Sequence, residues 1–499
     1  TGFFVDTEDH NYSTFASSQI YTGGIGFTVD LSSNNWNNNA NLGSSGQQDI
    51  TTDSSTWASA ICGVRIKNNQ ITITRNGSAT NVTDTTFSKL ASTGDGFYRI
   101  FTYNYYGSSD TNAWTRYNFG QRPYVHAPSG VTPQANGLQT NNLAEPTIKK
   151  GNKHFGILTY SAPASPSYPI TINGSGGNNG TGELDFGGQP DLVWIKMTNG
   201  TENHILFDSQ RGAGKSLRSD ENIAEANRTN FAFATNGFTI SAADAETYQQ
   251  NDSYVAFCWK GGGTAVSNSN GSETSTVSAN TDAGFSIVKW TPDDAAGTVG
   301  HGLSQAPEMI LLKGLDSSAW YVYHHSDGAT HTKYSSLSAD IEFSASSAVW
   351  NDTAPTSTVF SVGTTGNAGR GGADAVAYCW HGVEGYSKFG TYYGNGDADG
   401  AFIHTGFKPR FVMIKGRSNA GNWNMYNAST DPSNPIDVML RSNLTNQSEA
   451  ASGQNIDFLS NGFKCRGLNA NINETYHYIY MAFAEHPFGG TNQPPVPAR

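Results

Sequence analysis

The last two-thirds of the chain repeat one sequence pattern three times. Each copy has a short apolar segment that follows a proline and ends in a lysine, at Pro190–Lys196, Pro307–Lys313 and Pro409–Lys415. Each copy closes on a second apolar segment, at Val255–Trp259, Val376–Trp380 and Met481–Phe483. The first segments are about 117 and 102 residues apart, which is domain-sized rather than solenoid-sized. Tandem copies of this size are typical of binding or structural proteins, since an enzyme usually needs one active site.

The pattern within each copy predicts antiparallel β-structure. Short apolar strands alternate with turns rich in Gly, Asn and Ser. Strand Leu192–Lys196 is apolar on both faces apart from its terminal lysine, which favours a sandwich of two sheets in each repeat. The predicted fold class is all-β, with tandem antiparallel sandwiches, and each copy is long enough for a core of its own. The predicted boundaries are 1–125 for an N-terminal sandwich, 126–150 for a linker, 151–262 for repeat 1, 263–383 for a second linker and repeat 2, 384–488 for repeat 3 and 489–499 for an extended tail.

Composition excludes several classes of protein. Charged residues make up 14% of the 499 and aromatic residues 12%, which indicates a folded chain because disordered chains lose aromatics and gain charge. The net charge is −12, and no basic run is longer than Lys149–Lys150, so we expect no nucleic-acid partner. No apolar stretch has the length of a membrane span, so we expect no membrane insertion. Four cysteines predict buried free thiols rather than a disulfide framework.

The N-terminal part has its own strand pattern. Alternating segments occur at Gly23–Leu31, at Gln70–Arg75 before an Asn-Gly turn, at Gly96–Tyr103 and at Thr115–Gly120. This order resembles the second half of a SPRY domain. The resemblance implies a concanavalin-like antiparallel sandwich over about a hundred residues.

From Asn118 onward the chain is similar to a family of tail and virion proteins of marine bacteriophages. The segments that carry this resemblance include Asn118–Tyr124, Leu143–Ile148, Phe207–Gly212 and Gly284–Val288. The resemblance implies a structural phage protein, most often a tail fibre or tail-associated component, and it transfers no catalytic residue. Repeat 3 departs from the pattern, because it has no clear counterpart of the His301 loop.

Two motifs suggest phosphate or metal binding but lack the required geometry. Gly212–Ser216 resembles the end of a phosphate loop, yet Ser209 stands where that loop needs glycine, so a turn between strands is the better interpretation. His324 and His325 are adjacent, so on a strand they face opposite sides and do not share one ion. The sequence therefore predicts no metal site and no cofactor.

Candidate carboxylates for hydrolysis of a sugar are isolated from one another. A glycosidase needs two carboxylates about 5–10 Å apart around one sugar. Asp208, Glu308 and Glu342 stand alone, and each has a poor match between copies. A Gly-x-Ser-x-Gly nucleophile motif is also absent. We therefore predict a protein that is not an enzyme.

Two aromatic clusters are candidate glycan contacts, because exposed tyrosine and tryptophan stack on sugar rings. They are Tyr103, Tyr105, Tyr106 and Trp114 at the end of the SPRY-like module, and Tyr392 and Tyr393 in repeat 3. The alternative is that these rings fill sandwich cores or subunit contacts.

The leading hypothesis is a bacteriophage virion structural protein, a tail fibre or tail-associated component that contacts glycan on the host surface. It would be assembled in the host cytoplasm and leave the cell as part of the particle. Its expected partners are other virion proteins, further copies of itself, with a homotrimer favoured, and host polysaccharide. The alternatives are a capsid-decorating or architectural subunit without a ligand, and a secreted protein that binds or degrades polysaccharide.

Overall fold

The computed structural model describes residues 147–484, apart from 294, 317–318, 328–330 and 366–372, together with the N-terminal strands given below. Strands make up 43% of the chain and helices 3%, which confirms the all-β prediction. The chain divides into two compact units, Thr1–Asn142 and Leu143–Arg499. This division falls within the predicted linker 126–150.

The first unit contains two antiparallel sheets. Its strands are β1 (Gly2–Asp6), β2 (Ile25–Asp30), β3 (Asn35–Ala40), β4 (Gln48–Ile50), β5 (Cys62–Lys67), β6 (Gln70–Arg75), β7 (Ser78–Asp84) and β8 (Arg99–Tyr103). A five-stranded sheet has the order β4-β3-β2-β1-β8, and a three-stranded sheet has the order β5-β6-β7. Strands therefore occur within three of the segments predicted from alternation, while Thr115–Gly120 lies outside the described residues.

Repeat 1 is a sandwich of a large and a small sheet. Its strands are β9 (Phe155–Ser161), β10 (Ile170–Ile172), β11 (Leu192–Met197), β12 (Ile205–Asp208), β13 (Lys215–Arg218), β14 (Ala226–Asn227), β15 (Phe231–Ala234), β16 (Gly237–Ile240) and β17 (Ser253–Trp259). Short 3-10 helices occupy Gly151–Lys153 and Gly177–Asn179. The large sheet has the order β14-β13-β12-β11-β17-β9 and the small one β10-β16-β15.

Repeat 2 has strands equivalent to the central strands of repeat 1, and two further strands extend one edge of its large sheet. Its elements are β18 (Val266–Asn268), β19 (Ser275–Asn280), β20 (Phe285–Trp290), β21 (Gly297–Gly300), β22 (Met309–Gly314), β23 (Trp320–His324), β24 (Lys333–Tyr334), β25 (Ser344–Ala345), helix α1 (Ser347–Trp350), β26 (Val359–Val362) and β27 (Ala375–Trp380). The large sheet has the order β18-β19-β20-β27-β22-β23, and β21 pairs with β26. The segment interpreted as a second linker is thus partly strand. Its serine, threonine and valine residues suit an added strand, and β19 pairs with β20 along its whole length.

Repeat 3 returns to the plan of repeat 1. Its strands are β28 (Ser387–Tyr393), β29 (Phe402–His404), β30 (Pro409–Gly416), β31 (Asn424–Asn427), β32 (Val438–Arg441), β33 (Glu449–Ala450), β34 (Asn455–Leu459), β35 (Gly462–Arg466) and β36 (His477–Ala484). The large sheet has the order β28-β36-β30-β31-β32-β33 and the small one β29-β35-β34. The predicted tail, 489–499, lies outside the described residues.

The two faces of each large sheet enter different cores. On β11, Val193 and Ile195 pack in a cluster that belongs to repeat 1 alone. Leu192 and Trp194, on the opposite face, pack in a cluster that contains residues of all three repeats. Repeats 2 and 3 each have a private cluster as well. The apolar character of both strand faces is therefore explained by a private core and by a second core, called here the shared core, which the three large sheets enclose together.

Matching strand positions meet in the shared core. Strand registers place Trp259, Trp380 and Phe483 at equivalent positions. Each lies opposite the residue two positions after the proline of its repeat, which is Leu192, Met309 or Phe411. The ring of Trp259 lies 6.1 Å from that of Trp380 and 5.9 Å from that of Phe483. One aromatic residue from each repeat therefore packs around a common centre.

Two tryptophans connect neighbouring repeats through equivalent hydrogen bonds. In repeat 2, the Nε1 of Trp320 donates to the carbonyl of Arg218 in repeat 1 at 2.7 Å. In repeat 3, the Nε1 of Trp423 donates to the carbonyl of Ser336 in repeat 2 at 2.8 Å. Both rings are buried.

The third junction closes the ring. Repeat 1 has His204 at the position of the two tryptophans, and this buried side chain lies against the backbone of Arg441 in repeat 3. Beside it, the hydroxyl of Ser219 donates to the carbonyl of Ser442 at 2.6 Å. Contacts thus run from repeat 2 to 1, from 3 to 2 and from 1 to 3. The three repeats form a quasi-threefold unit within one chain.

Candidate functional site

The structure describes three of the six predicted aromatic contacts. Tyr103 ends strand β8, of which only the backbone course is described. Tyr105, Tyr106 and Trp114 lie outside the described residues. The N-terminal cluster therefore stays a prediction.

The two tyrosines of repeat 3 have different environments. The Tyr392 ring stacks on Tyr478 at 5.0 Å, and its hydroxyl donates to the carbonyl of Ile472 at 2.7 Å. Burial raises the pKa of Tyr392 well above its usual value. Tyr393 is 54% exposed, and its ring lies edge-on to His477 at 4.8 Å. Tyr392 therefore packs inside repeat 3, and Tyr393 offers an accessible ring.

Asp208 belongs to a buried ion pair of repeat 1 that lies at the junction with repeat 2. It is fully buried, it accepts a hydrogen bond from the Tyr378 hydroxyl at 2.7 Å, and it pairs with the buried guanidinium of Arg211. Desolvation opposes the charge of Arg211, but the neighbouring carboxylate dominates and keeps the pKa of the guanidinium above its ordinary value. This carboxylate holds two repeats together and does not face a substrate cleft.

The other candidate carboxylates lie apart from Asp208. Glu308 accepts a hydrogen bond from the backbone N–H of Gly382 at 2.8 Å and so caps the end of β27. Glu342 lies on an exposed segment. The three carboxylates thus have separate surroundings.

The histidines flagged in the sequence make local hydrogen bonds. The Nδ1 of His301 accepts from the backbone N–H of Leu303 at 3.1 Å, and its Nε2 faces the carbonyl of Thr356 at 3.1 Å. Burial lowers the pKa of His301 to about 4. Among the described residues, no group of three or more His, Cys, Asp or Glu side chains has the arrangement of a metal site.

The phosphate-loop-like segment is a turn followed by a strand. Ser216 is buried in β13, and the ammonium of Lys215 pairs with Glu225 at 3.0 Å. The predicted turn between strands is confirmed, since the segment joins β12 to β13.

One loop has the spacing of a calcium-binding loop and was missed in the sequence. Asn395, Asp397 and Asp399 alternate before a glycine, which is the pattern of oxygen ligands around Ca²⁺. The buried amide of Asn473 donates to the side-chain oxygen of Asn395 and to the carbonyl of Asp397, at 3.0 and 2.7 Å. Asp399 pairs with the ammonium of Lys464. Hydrogen bonds from Asn473 and the ion pair of Asp399 thus hold the conformation of this loop.

A groove of about 600 Å³ lies between repeats 1 and 3. Repeat 1 contributes Thr159–Ser161 of β9, Ser253 and Tyr254 of β17, and part of the segment 177–181. The hydroxyls of Thr159 and Thr181 are 2.8 Å apart, and those of Ser161 and Ser253 are also 2.8 Å apart. Polar side chains that are both donors and acceptors therefore line this side.

Repeat 3 supplies the opposite side of the groove. Ser429 and Thr430 follow strand β31, and Ser448 precedes β33. The backbone N–H of Ser448 donates to the carbonyl of Thr198 at 2.9 Å, which joins the two repeats at this groove. Eight of the fourteen lining residues are serine or threonine, and none carries a charge. The arrangement suits a neutral, hydrogen-bonding ligand rather than an ion.

Comparison with known proteins gives one match. The sequence model of a family described as "Domain of unknown function (DUF7483)" matches residues 165–487. No curated protein and no solved structure matches the chain. The matched residues run from repeat 1 through repeat 3, so they span most of the quasi-threefold unit.

Proposed function

The chain belongs to the DUF7483 family, and we propose that it is a structural protein of a bacteriophage virion. In this proposal it is a tail fibre or tail-associated component, and it contacts glycan on the surface of the host cell. The sequence resemblance to tail and virion proteins of marine phages suggests this role.

The observation that carries the proposal is the quasi-threefold closure of the three repeats. Equivalent aromatic residues meet at the shared core, and hydrogen bonds connect the repeats in a ring. Such a unit presents three related outer surfaces around one centre, which suits attachment to a symmetric assembly. It also suits a surface that makes several weak contacts with a repeating polymer.

The oligomeric state is a separate part of the proposal. Within residues 147–484, the three repeats cover one another's apolar sheet faces inside one chain. A homotrimer, as predicted from the sequence, would therefore assemble through other surfaces of the chain. No helix among the described residues is long and apolar enough to cross a bilayer.

Immunogold electron microscopy tests the proposed function. Antibodies against the purified chain are applied to intact particles of a phage whose genome encodes it, with pre-immune serum as the control. Gold at the tail is the expected result. Gold spread over the capsid would replace the tail assignment by a capsid-decorating role, and unlabelled particles, with the chain also missing from mass spectra of dissociated virions, would overturn the virion proposal.

A further inference from the structure

At each junction between repeats, the loop that follows one of the equivalent strands β12, β23 and β31 faces one of the equivalent strands β20, β28 and β9 of a neighbouring repeat. At the junction of repeats 1 and 2, Gln210 follows strand β12, and its Nε2 donates to the carbonyl of Ile287 on β20 at 2.7 Å. At the junction of repeats 2 and 3, His325 follows β23, and its Nε2 lies 3.1 Å from the carbonyl of Phe389 on β28. Strand registers place Ile287 and Phe389 at equivalent positions. A long polar side chain thus fills each of these two junctions.

The third junction has short side chains at the same place. Strand registers place Ser429 at the position of Gln210 in repeat 1 and of Ser326 in repeat 2, and they place Ala428 at the position of His325. In all three loops the backbone N–H of Gln210 or its equivalent donates to the side chain that ends the strand. Repeat 3 therefore has neither the glutamine nor the histidine that reaches across the other two junctions. The Ser429 hydroxyl lies 3.2 Å from the guanidinium of Arg410 in its own repeat. The loop therefore leaves open the groove of about 600 Å³ against β9. The quasi-symmetry is broken at the place where the groove lies.

We propose that this groove binds a neutral oligosaccharide. The proposal rests on the proposed function, because it locates the glycan contact of that function in the junction of repeats 1 and 3. Sugar hydroxyls donate and accept hydrogen bonds, as do the eight serine and threonine residues that line the groove. Its volume lies within the range of ligand sites in proteins.

The lining also indicates which ligands the groove excludes. An anionic sugar or a phosphate needs a cationic partner to offset its desolvation. None of the fourteen lining residues is charged, and the neighbouring guanidinium of Arg410 donates to Ser429. Glycines at 177 and 180 add main-chain surface without side-chain bulk. We therefore expect the groove to bind neutral sugars more tightly than anionic sugars.

The test introduces a glutamine at the junction of repeats 1 and 3, as at the junction of repeats 1 and 2. Ser429→Gln places the side chain of Gln210 at the equivalent position of repeat 3. Ser433→Gln makes the same chemical change on an exposed residue of the same loop, outside the groove, and serves as the matched control. Thr181→Gln narrows the groove from repeat 1, so the test does not depend on one variant. Circular dichroism and the thermal midpoint establish that each full-length variant is folded.

Binding is measured by isothermal titration and by saturation-transfer NMR. The probes are neutral di- to hexasaccharides of glucose, galactose, mannose and N-acetylglucosamine, with sulfated and uronic-acid oligosaccharides as the charged set. We expect a neutral probe to bind the wild type and the Ser433→Gln control equally, and to bind Ser429→Gln and Thr181→Gln about ten-fold or more weakly. Binding that both groove variants retain, or a preference for charged sugars, overturns the groove site and leaves the virion role standing. A wild-type chain that binds none of the neutral probes overturns the glycan contact as well, while immunogold labelling of the tail would still support the structural role.

Discussion

Replacing Trp259 by alanine tests whether the shared core stabilises all three repeats together. Trp259 is 1% exposed, and its ring lies 5.0 Å from that of Phe155, 6.1 Å from Trp380 and 5.9 Å from Phe483. The substitution therefore leaves a cavity lined by residues of three repeats. A change from tryptophan to alanine in a packed core costs about 3–5 kcal/mol of the free energy of unfolding.

The expected thermal shift follows from the size of the unit. For about 340 residues, the entropy of unfolding is about 0.7 kcal/mol per kelvin, so a loss of about 4 kcal/mol lowers Tm by about 6 °C. Differential scanning calorimetry should show the transition of unit Leu143–Arg499 moving as a whole. The control is Val266→Ala, a side chain that is 65% exposed, with an expected change within about 0.5 kcal/mol. Separate transitions for the repeats, of which only one moves, would refute the shared core.

Two further substitutions test buried charge. Asp208→Asn removes the nearer ionised partner of the buried Arg211 guanidinium and leaves Glu225 at 3.4 Å, so we expect a loss of about 3 kcal/mol in urea unfolding, and a loss below about 1 kcal/mol would contradict the buried pair. Burial lowers the pKa of Lys415 to about 8, so between pH 8 and about 10.4 the unfolded chain binds more protons at this site than the native chain. Stability contributed by this site therefore rises with pH, and the wild type should gain about 1.5 kcal/mol over Lys415→Met between pH 8 and pH 9.5. An unchanged difference across that range would show that the native lysine is not desolvated.

The strands of the repeats could be predicted because their pattern is local. The five residues Leu192–Lys196 are enough to predict a strand that ends in a lysine, and the structure has a strand there. The same alternation correctly gives two apolar faces. It does not say what covers the second face, because the cluster that contains Leu192 and Trp194 includes residues of strands more than a hundred positions away.

The second linker was misinterpreted because its composition is dominated by small polar residues. Ser and Thr are common in linkers, but in β19 Ser275 and Ser278 are buried, Thr276 is exposed, and Val277 is buried in the core of repeat 2. The decisive information is the pairing with β20, which composition does not contain.

The groove could not be predicted from short sequence segments, because the residues that line it are far apart in the chain. Thr159 and Ser429 are 270 positions apart in the sequence and meet only when the ring of repeats closes. A comparison of equivalent positions in the repeats could have singled out the site, since repeat 3 has Ala428 and Ser429 where the other repeats have His325 or Gln210. Nothing in the pattern of repeat 3 alone distinguishes that serine from its neighbours.

The central claim is that the three repeats are one cooperative unit, and pulse labelling of native thiols tests it most directly. Cys258, Cys379 and Cys465 are buried and free, one in each repeat, and burial raises the pKa of each thiol, which protects it from alkylation. Brief iodoacetamide pulses across a urea series, followed by proteolysis and mass spectrometry, give an unfolding midpoint for each cysteine. The account predicts one midpoint common to all three thiols. Three separate midpoints would contradict it, because repeats that unfold independently do not depend on a shared core.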